Sequence, residues 1–190
     1  MSRSELVAAA GYVLAGGGSR RMGRDKALLV ENGLPLVARV AGVVAAVAGR
    51  CSIVAPDGRY EGLGFPVLSD LWPGEGPLGG ILTALAHDEA EWNLIVAVDM
   101  PFLDTVFLES LLAAAWHGAE TVIPAHPNGD LEPLCGVYHA GALPALRRFF
   151  ELGGRRVKDA LREIPLRTVP AQERVLANVN TPEQWEAARR

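Results

Sequence analysis

Gly11-Tyr12-Val13-Leu14-Ala15-Gly16-Gly17-Gly18-Ser19-Arg20-Arg21-Met22-Gly23-Arg24-Asp25-Lys26 passes from a short apolar stretch straight into a glycine-rich, basic one. Residues 11–15 have the length and composition of a buried strand, and the glycines end it. Gly16, Gly17 and Gly18 can turn successive backbone N–H groups toward an anion, because glycine reaches conformations closed to other residues. Arg21 adds a planar fork for phosphate oxygens and Lys26 a compact ammonium. A strand that delivers such a loop predicts an α/β fold with a phosphate-gripping site at the strand's carboxyl end.

The loop fits neither of the two commonest phosphate motifs. Gly18 and Gly23 have the glycine spacing of a Walker A loop, but Arg24-Asp25 follows where Lys and a metal-binding hydroxyl are needed. Gly16 and Gly18 suit a dinucleotide fingerprint, but Arg21 stands where a third glycine would allow close packing.

Outward from this loop, short apolar runs alternate with helical patterns. Strands are expected at residues 11–15, 52–55, 66–69, 94–98, 121–124, 134–139 and 166–169, several of them apolar on both faces as in covered parallel sheets. Residues 36–48 set Val37, Val40, Val44 and Val47 on one helical stripe. Further helices are expected at 78–87 after Pro77, at 104–116 with Asp104 as cap, and at 140–152 before Gly153-Gly154. Thr181-Pro182-Glu183-Gln184 has the form of a capping box. Strand–helix alternation without repeats or linkers predicts one domain over residues 1–190, an α/β sandwich on a mostly parallel sheet.

Composition removes several function classes. With 49% hydrophobic and 21% charged residues, the 190-residue chain is ordinary globular material. A net charge of −4 offers no field for nucleic acid or anionic lipid, so neither is an expected partner. No run reaches the ~20 apolar residues of a membrane span. Residues 6–15 are apolar after Arg3, but cleavage near residues 15–18 would destroy the loop, so no leader is expected. Cys51 and Cys135 lack the paired spacing of zinc ligands and are expected as buried, reduced thiols of a cytoplasmic protein.

Two acidic positions complete the chemistry. Asp99, in Val96-Ala97-Val98-Asp99-Met100-Pro101-Phe102, lies at the carboxyl end of an apolar strand, the edge where open α/β sheets bind ligands. One such carboxylate, with phosphates and water, suffices for Mg²⁺. Asp104 is the better cap, which leaves Asp99 free for metal. Asp70 ends another strand, ahead of the Gly–Pro cluster at residues 73–80.

Leu14 through Leu29 resembles the opening signature of the molybdenum cofactor guanylyltransferases, within the nucleotidyltransferase superfamily. The Asp-Met-Pro-Phe-Leu run at 99–103, the Pro-Leu strand at 133–134, Arg155-Arg156-Val157 and Asn178-Val179-Asn180-Thr181-Pro182 have counterparts in the same order. The resemblance implies a three-layer α/β/α sandwich, Rossmann-like, of the nucleotide-diphospho-sugar transferase type. It implies GMP transfer from GTP to molybdopterin, with Mg²⁺ on Asp99. Leu14, Ala15, Gly16, Gly17, Gly18 and Asp70 would lie against the nucleotide, with Arg21 and Lys26 on its phosphates. The acceptor would meet Asn178, Asn180 and Arg156, so the N-terminal part would bind nucleotide and the C-terminal part acceptor. Direct handover from an upstream molybdenum-inserting protein is also implied. One departure concerns the base: the family commonly has an Asn after the second strand, whereas this chain reads Ala55-Pro56-Asp57.

Other readings stay open on sequence. A molybdenum cofactor cytidylyltransferase would tend to read Ala-Ala-Gly in place of Ala15-Gly16-Gly17. A sugar-1-phosphate nucleotidyltransferase would be longer, and a non-enzymatic nucleotide binder would have no need of Asp99 and Lys26. His87, His117, His126 and His139 all lack motif context. A phosphate nucleophile, already ionised near neutral pH, needs no such base.

Overall fold

Apolar runs at alternate intervals of strand and helix collapse into a sheet covered on both faces. A computed structural model describes residues 9–17, 25–87, 90–115, 121–179, 181 and 184–186. The first half contains β1 (Ala9–Leu14), a 3₁₀ turn (Lys26–Leu28), β2 (Val30–Glu31), β3 (Leu34–Pro35), α1 (Leu36–Ala48), β4 (Cys51–Ala55) and β5 (Val67–Ser69). Next come α2 (Pro77–Ala86), β6 (Trp92–Ala97), α3 (Thr105–Ala115), β7 (Thr121–Ala125) and β8 (Cys135–His139). The chain continues with α4 (Leu143–Glu151), α5 (Val157–Ala160) and β9 (Arg167–Pro170).

Seven strands form one sheet in the order β5-β4-β1-β6-β8-β7-β9. All pairings are parallel except those of β8, which runs antiparallel to β6 and β7. Strand residues alternate between two cores, because successive side chains leave a strand on opposite faces. Val13, Ile53, Leu94 and Val96 join α1 and α3 on one face. Tyr12, Val54, Ile95 and Tyr138 join α2 and α4 on the other. The expected three-layer sandwich is the observed one.

Local sequence chemistry explains most boundaries. Val37, Val40 and Val44 are buried along α1, as their stripe requires. Asp104 caps α3 by accepting the Phe107 N–H at 2.8 Å. Thr181 and Gln184 exchange both bonds of a capping box, at 3.2 and 3.3 Å. One expectation needs correction, and one element is new. The helix expected over 140–152 is a 3₁₀ turn (Ala140–Ala142) followed by α4, since Pro144 has no N–H to donate to the carbonyl of Ala140. The hairpin of β2 and β3 was not anticipated, although Asn32-Gly33 at φ 51° and 80° is the turn pair such hairpins favour.

Both cysteines are buried and free. Burial pushes the Cys51 thiol up to about 12 against a smaller opposing backbone hydrogen bond. Burial, with the nearby Glu132 charge, raises the Cys135 thiol still further. Both therefore remain protonated at pH 8, where an ordinary thiol is partly ionised. A thiol-reactive disulfide dye should label neither cysteine of the folded protein at pH 8, and both after denaturation.

Candidate functional site

Parallel pairing of β1 with β4 and β6 aligns Leu14 with Val54 and with Ala97. Backbone bonds extend each alignment one step past the strands: Ala15 N–H to Val54 O at 2.9 Å, Val98 N–H to Leu14 O at 3.1 Å, and Asp70 N–H to Ala55 O at 2.9 Å. Gly16, Asp70 and Asp99 therefore leave the sheet at one edge. There they line a cavity of about 530 Å³ together with Leu14, Gly17 and Lys26. Its far wall comes from Gly74, Gly76 and Pro77 at the start of α2. Gly74 and Gly76 have φ of 84° and 87°, values that side chains resist, so the wall's shape depends on glycine there.

Lys26 and Asp99, far apart in sequence, meet in this cavity with Nζ donating to Oδ2 at 2.7 Å. Their side chains are 16% and 17% exposed, so the pair is only partly screened by water. The other carboxylate oxygen, Asp99 Oδ1, is buried and has no hydrogen-bond partner among the described residues. A buried, unpartnered carboxylate oxygen is costly and suits a hard cation such as Mg²⁺. Among the described residues no cluster of three or more His, Cys, Asp or Glu side chains is assembled.

Asp70 is held rather than free. Its Oδ1 accepts the Trp72 N–H at 3.0 Å and lies 3.2 Å from Thr83 Oγ1 on α2. Its Oδ2 is 3.4 Å from where a Cβ on Gly16 would sit. Neither Gly16 nor Gly17 has a positive φ, so the conformational argument for glycine does not apply to these two. Both line the cavity without a side chain, and among the described residues nothing lies within 4 Å of a Cβ built on Gly17.

The remaining expected positions divide. Ala15 is buried beneath the cavity rather than lining it. Asn178 is exposed and donates to Glu132 Oε2 at 3.5 Å, while Val179 N–H donates to Asp99 O at 2.8 Å. The asparagine segment is thereby tied to the backbone of Asp99. Arg156 is exposed ahead of α5 and does not line the cavity. Gly18, Arg21 and Asn180 lie outside the described residues. Sequence reasoning missed Thr83, whose signal was a lone hydroxyl in the apolar run of α2. It also missed Glu132 as the partner of Asn178, which no local signal marks.

Comparison with known proteins gives this arrangement a family context. The family model described as a MobA-like NTP transferase domain matches residues 11–185. A Deinococcus radiodurans protein named "Probable molybdenum cofactor guanylyltransferase" is 36% identical over 179 residues, covering 90% of this chain and 88% of the relative. A protein of the same name from Nostoc sp. is 38% identical, with coverage of 90% and 86%. Molybdopterin-guanine dinucleotide biosynthesis protein A from Archaeoglobus fulgidus superposes with a TM-score of 0.79 at 27% identity, covering 95% of this chain and 96% of that one. CMP:2-keto-3-deoxy-manno-octonic acid synthetase shares the fold, with a TM-score of 0.78 at 17% identity.

Thr83 Oγ1 accepts the Leu71 N–H at 3.1 Å and can donate to Asp70 or to Gly79 O at 3.0 Å. Replacing Thr83 by Val keeps the volume but orphans the amide. Stability in urea unfolding should fall by about 1–3 kcal/mol.

Proposed function

The chain belongs to the MobA-like NTP transferase family, and from that premise we propose that it transfers GMP from GTP to the phosphate of molybdopterin. Family membership makes it a nucleotidyltransferase. The observation that carries the finer reading is the Lys26–Asp99 pair beside Gly16 and Gly17 in one cavity, with Asp99 Oδ1 unpartnered among the described residues. Guanine as the base rests on the likeness to relatives named as guanylyltransferases.

In the proposed reaction an oxygen of the acceptor phosphate forms a bond to the α-phosphorus of GTP. The bond from that phosphorus to the bridging oxygen of the β-phosphate breaks, and pyrophosphate leaves with the electron pair. The nucleophile is an anion, so no side chain has to remove a proton. The residues supply alignment and charge. Lys26 sets a positive charge against the phosphates, and Gly16 and Gly17 let the backbone approach them without a side chain between. Arg21 is assigned the same charge-neutralising role from its place in the sequence, as is Gly18 for backbone approach. Leu14 and Ala15 support the nucleotide from below, and Asp70 stands beside Gly16 as a further nucleotide contact.

Asp99 is the residue that would hold Mg²⁺, with phosphate oxygens and water at the remaining positions. When bound, Mg²⁺ supplies charge neutralisation on the phosphates. The acceptor is assigned to the side of the cavity nearest Asn178, with Asn180 and Arg156 as further candidates. One domain would then divide its labour, the N-terminal part gripping nucleotide and the C-terminal part acceptor. Delivery of molybdopterin by an upstream molybdenum-inserting protein, in the cytoplasm, is consistent with this reading. Among the described residues no helix is long and apolar enough to cross a membrane.

Asp99→Ala should cut magnesium-dependent transfer by at least about 10²–10³-fold with the circular dichroism spectrum unchanged; full activity in the variant removes Asp99 from the reaction. In a thermal-shift panel with Mg²⁺, GTP should raise the unfolding midpoint more than CTP, ATP or UTP. Preferential stabilisation by CTP would overturn the guanylyl assignment.

A further inference from the structure

Tyr60 lies in the turn-rich segment between β4 and β5, where nothing in the sequence marks it. It is 7% exposed, and its ring packs with the core on the α1 face. Its φ of 61° falls in the left-handed region, which among the described non-glycine residues only Asn32 shares. Asparagine tolerates that conformation, whereas for a bulky aromatic it is strained and persists only when the surroundings hold it. Core packing holds the ring, and two acceptors hold the hydroxyl. The oxygen lies 2.8 Å from Asp25 Oδ2 and 3.3 Å from the carbonyl of Ala15. The single proton goes mainly to the carboxylate, the stronger acceptor, with the carbonyl sharing it.

These two acceptors occupy particular places in the chain. Ala15 immediately precedes Gly16, and Asp25 immediately precedes Lys26. Asp25 is fixed from its other oxygen as well, because Oδ1 accepts the Ala27 N–H at 3.1 Å and caps the 3₁₀ turn that presents Lys26. Arg59 adds a half-exposed guanidinium 3.7 Å from Asp25 Oδ2. Burial and then the Asp25 carboxylate push the Tyr60 hydroxyl well above its ordinary range, so it remains a donor at neutral pH.

We propose that Tyr60 is a positioning residue that sets the separation of the Gly16–Gly17 backbone from the Lys26 ammonium, and thereby the fit of the cavity to a triphosphate. The inference rests on the reading of that cavity as the nucleotide site. A phenylalanine would fill the same volume, so the hydroxyl, and not the ring, is the group at issue.

Tyr60→Phe tests it. Calorimetric titration with Mg²⁺ should show about 10-fold weaker binding of both GTP and tripolyphosphate, the loss expected for one charge-assisted hydrogen bond. The thermal midpoint without ligand should move by only a few degrees. Hydrogen exchange at the Ala27 and Leu28 amides should accelerate in the variant with no ligand present. Wild-type affinities and exchange in Tyr60→Phe overturn the proposal. If the wild-type protein itself binds neither GTP nor tripolyphosphate, the nucleotide reading falls, and the proposal with it. Asp25→Asn gives a second arm that does not depend on Tyr60→Phe folding. Removing a negative charge beside a polyanion site would by Coulomb's law tighten tripolyphosphate binding, whereas a weakened tie loosens it. Looser binding supports the proposal and tighter binding overturns it.

Discussion

The site depends on one constraint: β1 is hydrogen-bonded on both sides by parallel neighbours. Parallel strands must all leave a sheet at the same edge, and Leu14, Val54 and Ala97 form the last shared row. Each of those residues also lines the cavity. The segments that follow, carrying Gly16, Asp70 and Asp99, therefore emerge side by side though widely separated in sequence. In open α/β sheets that edge is where ligands bind, before any side chain is considered.

Charge then organises what topology gathers. A carboxylate at this depth is costly unless paired. Lys26 satisfies one oxygen of Asp99, and the other has no partner among the described residues. The arrangement is polarised: a cation on one side of the acid, and an oxygen suited to a second cation on the other. Gly16 and Gly17 line the same cavity without side chains, and a Cβ on Gly16 would come within 3.4 Å of Asp70 Oδ2.

Elements remote in sequence hold the walls. Glu75, beside the glycines of the far wall, is bound by Arg155 at 2.7 Å. The guanidinium of Arg155 also stacks 4.0 Å over the Phe150 ring, and Phe150 meets Trp72 edge-on. On the opposite side Val179 bonds the carbonyl of Asp99 and Glu132 meets Asn178. The C-terminal third thus braces both sides of a site whose chemical groups come mostly from the first hundred residues.

Much of this was legible in the sequence because it depends on local physics. Strand alternation, the valine stripe of α1, the Asp104 cap and the Thr181–Gln184 box involve neighbours a few residues apart, and all appear as read. Lys26, Asp70 and Asp99, singled out because phosphate and metal chemistry restricts residue types, line one cavity with Gly16 and Gly17. The Asn32-Gly33 turn was equally local and was passed over. Only the tertiary structure decided that Lys26 pairs with Asp99, that Thr83 holds Asp70, and that Tyr60 ties Ala15 to Asp25. Those contacts join residues brought together by sheet order and chain crossover, and no periodicity or spacing along the chain encodes them.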